Sequence, residues 1–143
     1  MEMAKFGTLR VVFARVYDEI AEKGSKSETE ICRDGDKYTF ALDGLVVNFD
    51  AKEADPYPYD SKILIDFSVY PTEKEEVLLA DFPYSCRGTR QNPKYIPLSK
   101  GTDFPILPAG RKFYYKISNT ESEAGRAIFG VAIVILGRPV IEE

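Results

Sequence analysis

The sequence predicts a mainly β fold, an antiparallel β-sandwich or jelly-roll-like barrel with one N-terminal helix. Three observations carry this. Period-two apolar alternation recurs through the chain after residue 36. Nine Pro and ten Gly among 143 residues punctuate it into short segments. Strand patterns also follow one another without intervening helices, which argues against a parallel βαβ sheet. The length fits one domain, residues 1–143, large enough to bury a core without staples.

In chain order, Leu9, Val12, Phe13, Val16, Tyr17 and Ile20 fall at the spacing of one helical stripe. A helix is therefore expected over 8–23, capped by Thr8 and stopped by Gly24, with a bent strand as the rival because Val11, Val12 and Val16 are β-branched. Residues 24–28 read as a polar connection. Residues 37–42 and 45–49 flank Asp43-Gly44, which predicts a hairpin with a tight two-residue turn. Pro56 and Pro58 keep the segment 55–60 extended.

Residues 62–70 read as a strand with Ile63, Ile65, Phe67 and Val69 on one face. Residues 76–82 read as the next. From 83 to 109 the regular pattern stops, and a long irregular loop is expected, of the kind that serves assembly or function. Strands return at 112–118 and 126–136, joined by a polar loop over 119–125. The last strand is the most apolar, and Gly130 within it predicts a bulge or a close backbone approach.

Composition excludes several chemistries. The chain has no histidine, which removes serine and cysteine hydrolases that use a histidine base. Cys32 and Cys86 lie far apart without the spacing or companions of a zinc site, and they read as idle thiols. No cofactor is expected. The longest apolar run, Ala127–Leu136, is too short for a membrane helix, and the N-terminus lacks the apolar stretch of a secretory signal. A cytoplasmic protein is expected, or a virion component if the chain is viral.

Charge is unevenly spread. Residues 1–86 hold 10 Lys/Arg against 18 Asp/Glu, whereas residues 87–112 hold Arg87, Arg90, Lys94, Lys100, Arg111 and Lys112 against Asp103 alone. A basic, Pro-rich loop on an acidic body suits docking onto an acidic neighbour of the same kind. Tyr84 and Tyr95 among those cations would also suit single-stranded nucleic acid, but the acidic pI of about 5.0 disfavours it. The expected interaction residues are Arg87, Arg90, Lys94, Tyr95 and Lys100, with Tyr57 and Tyr59 on the stiff turn 55–60.

Three weaker patterns remain. Arg33-Asp34-Gly35-Asp36-Lys37 begins like a calcium loop but lacks its later ligands, so a turn is expected there. Asp43, Asp50, Asp60 and Asp66 are the carboxylates a metal-dependent or glycosidase-type enzyme would draw on, and with 23 acidic residues chance pairs are certain. Tyr114 and Tyr115, with Tyr57 and Tyr59, would form the aromatic platform of a carbohydrate- or peptide-binding module.

The C-terminal third reads FPILPAGRKFYYKISN over 104–119 and GRAIFGVAIVILGRP over 125–139. With its Pro-Ala-Gly turn, strand ending in Asn, polar loop and apolar final strand, it resembles the small β-sandwich head-decoration and accessory structural proteins of tailed bacteriophages. The resemblance implies a non-enzymatic homo-oligomer that clamps neighbouring capsid subunits through loops and terminal arms. A structural or assembly protein is therefore the leading expectation, ahead of the ligand-binding module and the carboxylate enzyme.

Overall fold

The computed structural model describes residues 5–50, 62–85, 93–101, 103–123 and 125–141, and every regular element among them is a strand. The first five are β1 (Lys5–Phe6), β2 (Arg10–Ile20), β3 (Ser25–Ile31), β4 (Phe40–Asp50) and β5 (Lys62–Val69). The second five are β6 (Glu76–Ser85), β7 (Lys94–Pro97), β8 (Ile106–Leu107), β9 (Lys112–Asn119) and β10 (Ile128–Ile141).

They form two antiparallel sheets. In the larger, β10 lies between β4 and the edge made by β1 and β2, and β7 and β8 line the far side of β4. The smaller has the order β3-β9-β5-β6. The connectivity is nested: β5 pairs β6, β4 pairs β7, β3 pairs β9 and β2 pairs β10, with successive pairs alternating between the sheets. One long hairpin is thus rolled into two layers.

A single core lies between them. Leu45, Val47, Phe49, Val131, Ile133 and Ile135 from the larger sheet meet Ile63, Ile65, Phe67, Phe113, Tyr115 and Ile117 from the smaller, all fully buried. Each such side chain contributes roughly 1.5–3 kcal/mol by leaving water. Phe113 ties the layers, with Phe13 of β2 edge-on at 5.1 Å and Phe67 stacked at 5.9 Å.

The expected N-terminal helix is instead strand β2, paired with β10 from Ile20–Ile128 to Arg10–Gly137. Two irregularities make its apolar spacing look helical. A register shift opposite Ile135/Leu136 makes Val12 an extra residue, so adjacent Val12 and Phe13 both turn inward. Gly130, at φ +55°, reverses the face of β10, and Tyr17 and Ile20 reach the core three residues apart. Gly130 thus marks the bulge expected from the sequence: the register with β4 shifts between Phe129 and Ala132, while that with β2 runs on unbroken there.

The Asp43-Gly44 hairpin is also replaced. Asp43 and Gly44 lie inside the continuous strand β4, where the register with β10 shifts between Leu136 and Gly137 and leaves Asp43 as the bulged residue. The segment 83–109 is more regular than expected: β6 runs through Pro83 to Ser85, and β7 and β8 pair with β4. Pro83 and Pro97 are tolerated because β6 and β7 lie at sheet edges. Strand β3 occupies the stretch read as a polar connection. It is a largely exposed edge strand, whose polar side chains protect it from further pairing.

Candidate functional site

The strongest surface feature is the outer face of the larger sheet. In β10, buried Val131, Ile133 and Ile135 alternate with half-buried Ala132, Val134 and Leu136, which point away from the core. Register extends that second face sideways. Ala132 sits between Val16 and Asn48, and Leu136 sits between Val11 and Gly44. Val134 lies between Ala14 and Val46, and Val46 is opposite Tyr95 of β7.

The outer face is therefore apolar in three successive rows. At its β2 edge Val16 is 63% and Val11 48% exposed, and at its β7 edge Tyr95 is 47% exposed. An antiparallel sheet ordinarily turns a polar face to water, whereas this one carries apolar side chains on both faces. Asn48 breaks the pattern, with an Oδ1 atom that is buried and has no hydrogen-bond donor. The sequence carried a signal for this face, the near-unbroken apolar run Ala127–Leu136, but β2, β4 and β7 could be set beside it only once the register was known.

Beside this face, β7 is locked to β4 by Tyr95. Its hydroxyl donates to Asp43 Oδ2 at 2.6 Å and lies 3.1 Å from the Asp43 carbonyl. A Cβ on Gly44 would stand 2.5 Å from Tyr95 Cε2 and 2.7 Å from the Ile96 carbonyl, so only glycine admits this approach. Desolvation of the hydroxyl, its bond to Asp43 and the carboxylate charge push the Tyr95 pKa up to about 12.

Of the other predicted interaction residues, Lys94 and Lys100 are among those described. Lys94 places its ammonium 5.5 Å from the centre of the Tyr84 ring, and Lys100 closes a backbone turn with Asp103. Arg87, Arg90, Tyr57 and Tyr59 lie outside the described residues, as do Cys86 and Asp60. The Tyr114/Tyr115 platform does not form: Tyr115 is fully buried, and its hydroxyl sits 2.6 Å from that of Tyr17. Burial and that bond raise the Tyr115 pKa. Two of the four predicted carboxylates, Asp43 and Asp66, have structural partners. Asp43 holds Tyr95, and Asp66 Oδ1 accepts the Asp81 N–H at 2.8 Å. Asp34 and Gly35 lie in a turn closed by Gly35 N–H to the Cys32 carbonyl, and burial pushes the Cys32 thiol up to about 12.

Two polar clusters join the layers. At the β2/β3 side, Arg15 pairs with Glu28 at 3.2 Å and Glu30 at 3.7 Å, and the Tyr17 hydroxyl links the Glu28 carboxylate to Tyr115. At one end, buried Asn119 donates to the carbonyls of Ile20 and Arg126 and accepts from Glu121 N–H. Arg126 there pairs with Glu121 and Glu123. A cleft of about 440 Å³ lies by Glu30, Ile31, Tyr70, Glu73, Arg111 and Lys112. Arg111 is committed within it, donating to the carbonyls of Tyr70 and Thr72. Among the described residues no cluster of three or more His, Cys, Asp or Glu is placed to hold a metal ion, and no helix is long and apolar enough to cross a membrane.

No family model matches the chain, and no curated protein matches it. Among solved structures, a chain in the structure of the infectious bursal disease virus Gx strain is similar at a TM-score of 0.40 and 10% identity. The likeness covers 93% of this chain and 35% of that one, so the present chain spans about a third of that protein's length.

Proposed function

We propose that the chain is a non-enzymatic jelly-roll subunit of a larger protein assembly, a virion component such as a capsid decoration or accessory protein. One observation carries the reading: the β2–β10–β4 sheet is apolar on both faces, and one face is already used by the core. Packing another subunit over Val16, Val134, Val46 and Leu136 removes from water a surface that otherwise costs solubility. The nested two-sheet winding supplies a rigid support for that face.

The resemblance of residues 104–119 and 125–139 to phage head-decoration proteins points the same way. Under this reading the basic residues Arg87, Arg90, Lys94 and Lys100 steer encounter with acidic surface on the neighbour and fix its orientation. The test is sedimentation velocity of the full chain with Val134→Asp. Wild type is expected to build species larger than a dimer, and the variant to lose them, because a buried unpaired carboxylate costs several kcal/mol. Identical size distributions for the two proteins overturn the reading.

A second reading, a carbohydrate- or peptide-binding module, draws on the cleft beside Tyr70 and Lys112, whose ammonium lies 5.0 Å from the ring centre. It predicts a monomer that binds immobilised glycans or peptides and loses binding on Tyr70→Ala.

A further inference from the structure

β2 is the longest sheet edge among the described residues. Its eleven residues pair with β10 on one side and with no described strand on the other. An uncovered edge offers N–H and C=O groups to another chain, and natural sheets either blunt it or use it. Val12 is blunted, since its carbonyl accepts the Arg33 N–H at 2.6 Å. Beyond Val12 the strand continues for eight residues to Ile20 with Val16 exposed.

The charges along this edge are sorted by sign. Arg10 stands at the start, and Asp18 and Glu19 stand near the end, all exposed. None of the three has an ion pair among the described residues; Arg10 rests its guanidinium over the Tyr38 and Phe40 rings at 5.4 and 5.7 Å. A strand with a cation at one end and carboxylates at the other is complementary to itself when reversed, and only then. A parallel copy would set like charges side by side.

We infer that a second copy of this chain pairs antiparallel with β2, on a two-fold axis at Arg15, bringing each Arg10 to the Asp18–Glu19 end of its partner. This rests on the assembly reading and names the partner and the contact for one of its interfaces. In this register Ala14 lies opposite Val16 and Phe13 opposite Tyr17, both favourable cross-strand pairs. The two Arg15 side chains meet at the axis, where repulsion is offset because each already carries Glu28 and Glu30. The seam also joins the Ala14 and Val16 rows of both copies, so the outer apolar faces become one continuous surface.

Charge exchange tests the contact. The dimerisation constant of the full chain is measured by sedimentation in wild type, Arg10→Glu, the pair Asp18→Lys/Glu19→Lys, and all three substitutions together. Circular dichroism confirms the fold in each. Reversal at either end is expected to weaken the dimer by ~10-fold or more, and the triple exchange to recover most of the loss. A wild type with no dimer at the highest attainable concentration overturns the inference, and so does a triple exchange no better than its parents. If these variants behave as wild type while Val134→Asp still loses the larger species, the edge contact falls and the assembly reading stands.

Discussion

Tyr95 and Asp43 are 52 residues apart in sequence, yet the tyrosine hydroxyl meets the carboxylate at 2.6 Å. That bond holds the four-residue strand β7 against β4, and the ring occupies the space above Gly44. Tyr95→Phe is expected to lower stability by about 1–2 kcal/mol, toward the low end for a bond to a charged acceptor because this one is exposed. Gly44→Ala is expected to cost more, because its Cβ must displace both the ring and the Ile96 carbonyl. Urea unfolding of the two variants checks the order, and a Gly44→Ala protein as stable as wild type contradicts this packing.

The same hydroxyl predicts alkaline behaviour. The Tyr95 pKa is raised to about 12, above the ordinary value of 10.0, so the folded state favours the neutral phenol. The resulting stability is full below pH ~10 and is lost as pH rises toward 12. Tyr115 and Tyr17 are shifted the same way, chiefly by burial. Chemical denaturation at stepped pH should therefore show stability falling from pH ~10 upward, less steeply in Tyr95→Phe. A flat profile across that window contradicts the assignment.

Asn119 is the buried polar tie at the end of β9. Asn119→Ala removes two donors, from the Ile20 and Arg126 carbonyls, and the acceptor for Glu121 N–H. A loss of about 2–4 kcal/mol is expected, read as a lowered melting temperature. Asn119→Asp keeps the acceptor but loses both donors, so it should be destabilised almost as much. An Asp variant that melts with wild type would show that the donors matter little.

Arg111 pins the turn after β5 by donating to the carbonyls of Tyr70 and Thr72. Arg111→Lys is expected to leave the global melting temperature nearly unchanged while increasing amide exchange at residues 70–75, because one ammonium cannot copy the forked geometry. Unchanged exchange there contradicts the pinning role.

How much of this was legible in the sequence depended on whether a strand was regular. β5 and β9 could be read within a residue or two, since Ile63, Ile65, Phe67 and Val69, and Phe113, Tyr115 and Ile117, alternate without interruption. β2 looks helical in sequence because its bulge at Val12 and the face reversal opposite Gly130 imitate helical spacing. Asp43-Gly44 has the composition of a tight turn, but here the glycine makes room for a tyrosine distant in sequence, and no local rule contains that tyrosine. β3 was invisible because an exposed edge strand has little apolar alternation to show. The outer face was half legible: Ala132, Val134 and Leu136 stand in an evident apolar run, whereas Ala14, Val16 and Val46 join them only through register.

On the proposed function, subunits meet on this outer face. The most direct test compares wild type with Val134→Asp by sedimentation velocity across a concentration series, with circular dichroism confirming the fold. Wild type is expected to grow into larger species as concentration rises, while the folded variant is not. A folded Val134→Asp protein that assembles as wild type does would contradict this reading.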